Sequence, residues 1–143
     1  MQQLLNNLLM RQAAQGAGTF VCRFGVVTGY DPGTYAVKAT IQPEDVETGF
    51  VPLLSPWVGP SWGAFFAPIL GAQVLLLFQE GGQQAPIAAL FAFSTAMPPV
   101  AVPSGEMLLQ HASGSLMHFD NAGNVAVKAT GNLALSGATI TLN

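Results

Sequence analysis

Residues 105–143 read GEMLLQHASGSLMHFDNAGNVAVKATGNLALSGATITLN, and this strip decides the fold. Glycine recurs at 105, 114, 123, 131 and 137. Between the glycines, apolar and small polar residues alternate, which is the period of a β-strand. Strands this short bury too little surface to fold as a single copy. The strip needs either many more repeats or other chains. It is an assembly element, and it points away from an ordinary monomeric enzyme.

The composition of the whole chain says the same. Of its 143 residues, half are apolar and only 8% are charged. A soluble domain usually has about a quarter of its residues charged, and a monomer this poor in charge is hard to keep in solution. A membrane-spanning chain is the plain alternative. It fails on length, because no apolar run reaches the roughly 18 residues that a spanning helix needs. The longest candidate, Gln73–Phe78, is strand-sized. Burial of surface against partners explains the composition better.

The net charge is −3, and the basic residues Arg11, Arg23, Lys38 and Lys128 are scattered. No basic stripe exists to neutralise phosphates, so nucleic-acid binding is not expected. The single Cys22 excludes an intrachain disulfide and reads as a small buried thiol beside Val21. The chain does not open with a signal-peptide pattern, so synthesis and assembly in a cytoplasm are expected.

Four segments precede or include the strip. Residues 1–18 form an N-terminal helix and linker, with Leu4, Leu5, Leu8 and Leu9 on one apolar stripe of the helix at 1–14. So short a helix is marginal alone and must dock, on its own chain or on another. Residues 19–93 are rich in β-strand signals. Phe20–Tyr30 and Tyr35–Ile41 flank the turn Asp31-Pro32-Gly33 as a hairpin. Gln42–Gly49 is an exposed acidic loop. Phe50–Leu54 is a short strand, and Val58–Leu70 is a Gly-, Pro- and aromatic-rich connection. Gln73–Phe78 and Ala85–Phe93 are strands on either side of Glu80-Gly81-Gly82. Five strands with this spacing suit a small barrel such as an OB-fold. Residues 94–104 are a proline-rich, semi-rigid linker, and residues 105–143 are the strip.

These residues resemble the phage baseplate assembly protein V family, the central spikes of contractile tails, related to the spikes of type VI secretion systems. The resemblance runs over roughly residues 20–143. It rests on RFGVVTGYDPGTYAVKATI with its R-x-G-x-V and D-P-x-x-Y elements, on LSPWVGPSWGAF, on GAQVLLLFQEG, and on HASGS leading into the strip. It implies an all-β homotrimer. A five-stranded OB-fold barrel would sit at the baseplate hub, bound to a hub protein. The strips of three chains would wind into a triple-stranded β-helix. It also implies a mechanical role without catalysis or cofactor: the spike plugs the tail tube and is driven into the bacterial outer membrane. The chain would then be a virion protein of the tail baseplate.

In such a β-helix, Val125 and Val127, Leu133 and Leu135, and Ile140 and Leu142 share parity within each strand and point to the trimer axis. About five crossings at ~4.8 Å give a needle of roughly 20–25 Å. Many relatives in that family close the tip with a His-x-His motif that holds iron. This chain ends SGATITLN and has only His111 and His118, so no tip metal is expected. Either a separate cap protein covers the tip or the apex is a blunt apolar plug, and the open strand ends at Thr139–Leu142 favour the cap. The interval 94–103 leaves no room for the lysozyme domain that some larger spikes insert.

Other groups have plainer explanations. Trp57, Trp62, Phe65 and Phe66 suit a glycan or single-strand groove, but without nearby basic residues core packing or a subunit interface explains them better. Glu44, Asp45 and Glu47 read as a solvated loop. Asp120, Asn121 and Asn124 around Gly123 have too few ligands for calcium and read as a turn. Glu106 near His111 lacks the second acid and the apolar cleft of a glycosidase pair, and no nucleophile elbow is present. A binding module, an OB domain with an oligomerising tail that recognises a glycan or a partner peptide, is the competing function.

Overall fold

The turn after Asp31 organises the first part of the chain. In the computed structural model, which describes residues 1–8, 21–78 and 86–143, the Asp31 carboxylate accepts the Gly33 amide at 2.9 Å and the Thr34 hydroxyl at 2.7 Å. This side-chain turn closes a hairpin between β1 (Val21–Asp31) and β2 (Ala36–Ile41). Three readings of the sequence fall outside the described residues in whole or part: the helix beyond residue 8 with Leu9, the hairpin start at Phe20, and the Glu80-Gly81-Gly82 turn with Ala85.

The chain divides into two units, Met1–Pro99 and Val100–Asn143. In the first, residues 2–8 are helical and all exposed. After β2, the acidic loop contains a two-residue strand, β3 (Val46–Glu47), which pairs with the outer edge of β2. Lys38 reaches Glu47 at 3.8 Å, and Arg23 pairs with Glu44, so two acids of the loop fasten it to the sheet. β4 (Val51–Pro52) pairs with the other end of β2. β5 (Val58–Gly59) and β6 (Trp62–Gly63) form a separate miniature hairpin. β7 (Gln73–Phe78) is where the sequence places it, and β8 (Pro86–Ala92) follows. The six-stranded sheet has the order β3-β2-β1-β7-β8, with β4 attached to β2.

Alternation puts one face of this sheet inside. β7 buries Val74, Leu76 and Phe78 and leaves the residues between them part-exposed. Val27, Val37, Ala39, Val51, Leu53 and Ala88 complete the core. Gly25 is closely packed within the sheet. A side chain there would press on the Thr40 carbonyl at 3.1 Å and on Leu76 at 3.2 Å. A bulge between Val27 and Gly29 bends β1. At the far ends of the sheet, Leu53 and Ala88 form a single parallel bridge, and the Leu54 amide donates to the Ala88 carbonyl at 2.9 Å.

The same alternation corrects the reading of Cys22. Val27 and Gly25 face the core, so the even positions of β1 turn away, and Cys22 is exposed rather than buried.

The second unit is an antiparallel sheet of β9 (Met107–Gln110), β10 (Leu116–Phe119) and β11 (Val125–Lys128) in the order β11-β10-β9. Successive strands start nine residues apart. The two connecting turns repeat the same hydrogen bonds. The His111 amide donates to Ser115 at 2.9 Å and the Asp120 amide to Asn124 at 3.0 Å; the Gly114 and Gly123 amides donate three residues back at 2.9 and 3.2 Å. Gly114 and Gly123 hold φ of 90° and 89°, which L side chains rarely adopt. Residues 129–143 carry no strand in the single chain.

Candidate functional site

Register decides what the second unit displays. Met117 stands opposite Leu109 on one side and Val127 on the other, and Phe119 stands opposite Met107 and Val125. Cross-strand partners point to the same face of a sheet. One face is therefore made of Met107, Leu109, Met117, Phe119, Val125 and Val127. All six are exposed in the single chain.

Every ionisable strand side chain of this unit lies on the other face. His118 is opposite Leu108 and Ala126, and Lys128 is opposite Leu116. His118 Nε2 donates to Glu106 Oε2 at 2.8 Å, and Glu106 Oε1 accepts the Asn121 amide at 3.2 Å. Asn121 Nδ2 also donates to the Ser104 carbonyl at 3.0 Å. Glu106, nearly covered, thus ties the start of β9 to the turn after β10. Its partner is His118, whereas the sequence places it near His111. His111 instead caps its own turn: Nδ1 accepts the Ser113 amide at 3.1 Å. In the next turn, the side-chain and backbone amides of Asn124 both donate to Asp120, at 2.9 and 2.8 Å. They hold the Asp120 carboxyl below its ordinary value. This is the turn expected around Gly123. Among the described residues, no three His, Cys, Asp or Glu side chains converge as a metal site.

The six-residue face contains only two of the expected axis residues, Val125 and Val127. Leu133, Leu135, Ile140 and Leu142 are also exposed, on the segment without strands. Met107, Leu109, Met117 and Phe119 were missed. With a nine-residue repeat the face falls on the first and third residues of β9 and β11 but on the second and fourth of β10, and that phase is visible only once the turn length is known.

The first unit displays a second apolar surface. No residue between Glu47 and Glu80 is charged. Trp57, Trp62, Phe65 and Phe66 all lie exposed, so they are not core. Trp57 and Trp62 meet edge to face with ring centroids 5.3 Å apart. Ser55 Oγ donates to the Ala64 carbonyl at 2.6 Å, and the Ala64 amide donates to Trp57 at 2.9 Å, closing the base of the hairpin. Tyr35 packs edge-on against Phe65 at 5.7 Å, and its hydroxyl accepts the Phe66 amide at 3.0 Å. Leu4, Leu5 and Leu8 of the helix are exposed as well, while Leu9 is outside the described residues. No helix among the described residues is long and apolar enough to cross a membrane.

No curated protein matches the chain. Residues 25–93 match a family described as the type VI secretion system/phage-baseplate injector OB domain. The match begins in β1, ends just after β8, and covers the six-stranded sheet with its Leu53–Ala88 bridge. Residues 25–93 are therefore similar to that injector OB domain, and the match supports the resemblance of this chain to the phage-baseplate spike family.

Proposed function

We propose that the protein is the structural central spike of a phage or phage-like contractile tail baseplate, working as a homotrimer without catalysis or cofactor. The first unit forms a five-stranded OB barrel closed at the Leu53–Ala88 bridge, and it docks on a hub protein of the tail. The helix with Leu4, Leu5, Leu8 and Leu9 serves as an interface element. Three tails associate into a β-helical spike that plugs the tube, contributes to penetration of the bacterial outer membrane and carries a separate cap protein at the Thr139–Leu142 end. The protein is thus placed in the virion.

The observation that carries this reading is the wholly apolar face of the tail sheet, exposed in one chain. Three such sheets, face to face, remove it from water. Light scattering tests the stoichiometry: the expected mass is three times 14.9 kDa, and a monomer refutes the spike. A variant lacking 105–143 is expected to lose the trimer. If it stays fully trimeric, the tail is not the assembly element.

The exposed Trp57–Trp62 pair supports a second reading, a module that binds a glycan or a partner peptide. That reading requires binding that is lost in Trp57→Ala while the oligomeric state is unchanged.

A further inference from the structure

The outer face of the main sheet changes character along β1. Around Thr28 it is polar. Thr28 Oγ donates to Glu47 at 3.4 Å, Lys38 Nζ reaches the same carboxylate at 3.8 Å, and Thr40 stands opposite Glu47. Around Cys22 it is apolar. Cys22 stands opposite Leu77, Leu77 opposite Ile87, and Phe24 opposite Leu75. These five residues point away from the core, because Leu76 and Ala88 between them are fully buried on the other side. Cys22 and Phe24 are exposed. An antiparallel sheet that turns one face to water alternates apolar with polar residues. β7, apolar without a break from Val74 to Phe78, does not alternate. Such a strand suits a sheet that is covered on both faces.

The chain carries one element that matches this block. Residues 2–8 are helical, and Leu4, Leu5 and Leu8 form a stripe along one side. Residues 1–8 contain no charged side chain. An uncharged leucine stripe suits the apolar end of the sheet face and not its Thr28–Glu47 end. So short a helix is stable only when docked. Leu4, Leu5 and Leu8 are exposed in the same chain in which Phe24 is exposed, so stripe and block do not cover each other within one copy. Each copy therefore offers two different surfaces, one stripe and one block. A contact between unlike surfaces closes into a ring when rotation repeats it among three copies. The interval 9–20 spans at most about 40 Å by chain length, enough to reach a neighbouring sheet.

We infer that the N-terminal helix of one copy docks, through Leu4, Leu5 and Leu8, on the Cys22–Leu77–Ile87 block of the next copy. Three helices then clasp the three main sheets into a ring, in addition to the contact made by the tails. This inference rests on the homotrimer reading.

Cys22 is the only cysteine and lies in the block, so cross-linking reads the contact directly. Light scattering first establishes the mass of the wild type. Leu5→Cys is then treated with a short bismaleimide and run on a denaturing gel. Covalent dimers and trimers are expected. Asn6→Cys, on the opposite side of the helix, and the wild type with Cys22 alone are expected to run as single chains. Linking confined within one chain overturns the inference, because the helix then lies on its own sheet. An unlinked Leu5→Cys in a proven trimer overturns it too and leaves the spike standing, with the helix on another partner. Equal linking in Asn6→Cys, or Cys22-to-Cys22 linking in the wild type, also overturns it. A wild-type monomer overturns both readings. Should Leu5→Cys not fold, the native thiol decides the point. Cys22 of the wild-type trimer is expected to react with N-ethylmaleimide ~10-fold more slowly than in a chain lacking residues 2–8, and equal rates refute the inference.

Discussion

Val127→Asp is the most direct perturbation of the tail face. Val127 is 51% exposed in the single chain. Burying a whole valine contributes about 1.5–3 kcal/mol, so covering its exposed half contributes about 1 kcal/mol per copy and about 3 kcal/mol per trimer. The aspartate removes that and adds a charge. An unpaired carboxylate in an apolar seam costs several kcal/mol after relaxation, and three of them face one another, so the loss totals on the order of 10 kcal/mol. At ~1.4 kcal/mol per decade, association weakens by about 10⁷-fold. Size-exclusion chromatography with light scattering at micromolar concentration reads the outcome. The variant is expected at the mass of one chain, with the far-ultraviolet circular dichroism of its sheets retained. Val46→Asp is the control, since Val46 is equally exposed at 57% but lies in β3, outside the tail. It is expected to remain trimeric. The reasoning is refuted if Val127→Asp stays trimeric, or if both variants dissociate alike.

Three further outcomes follow from the same structure. Leu76 is fully buried at the centre of β7, so Leu76→Ala is expected to lower unfolding free energy by about 3 kcal/mol in urea titrations. Gly59 lies under the Trp62 indole, and a β-carbon there overlaps the ring; Gly59→Ala is expected to shift the tryptophan emission and abolish the edge-to-face coupling without moving the urea midpoint of the main sheet. Asp31 is held below its ordinary 3.8 first by the Thr34 hydroxyl, and Asp120 below 3.8 first by the Asn124 side chain. A carboxyl with a lowered folded value adds stability that is complete above its unfolded value and disappears as pH falls through the folded one. Unfolding midpoints should therefore drop as pH falls below 3.8, with a smaller drop in Asp120→Asn, and a drop of equal size in that variant contradicts the assignment.

Much of the fold was legible from local pattern. The Asp31-Pro32-Gly33 turn fixed the first hairpin, because its side chain supplies the turn's hydrogen bonds. Gln73–Phe78 was readable as a strand because its apolar run is strand-sized and follows Gly71, although which of its residues face inward is not visible in a run that is apolar throughout. The β5–β6 hairpin was not, since Val58-Gly59 and Trp62-Gly63 are two residues each and are held by Ser55, which lies outside them. Cys22 was misplaced because its neighbours are apolar on both faces of β1, so only the pairing with β7 tells in from out. In the tail, Val125 and Val127 were recognisable within one strand. Their companions on β9 and β10 depended on turn length, which sets the phase from strand to strand.

The nine-residue repeat also makes the tail a ruler with discrete marks. One unit adds one crossing, about 4.8 Å of height, but it reverses the direction in which the chain leaves the sheet. Two units, eighteen residues, add about twice that height and restore the direction. Length is thus adjustable only in paired steps if whatever follows Lys128 is to keep its heading. An insertion of eighteen residues after Gln110 that repeats the 111–128 pattern is compatible with everything downstream, whereas nine inserted residues turn the remainder of the chain around.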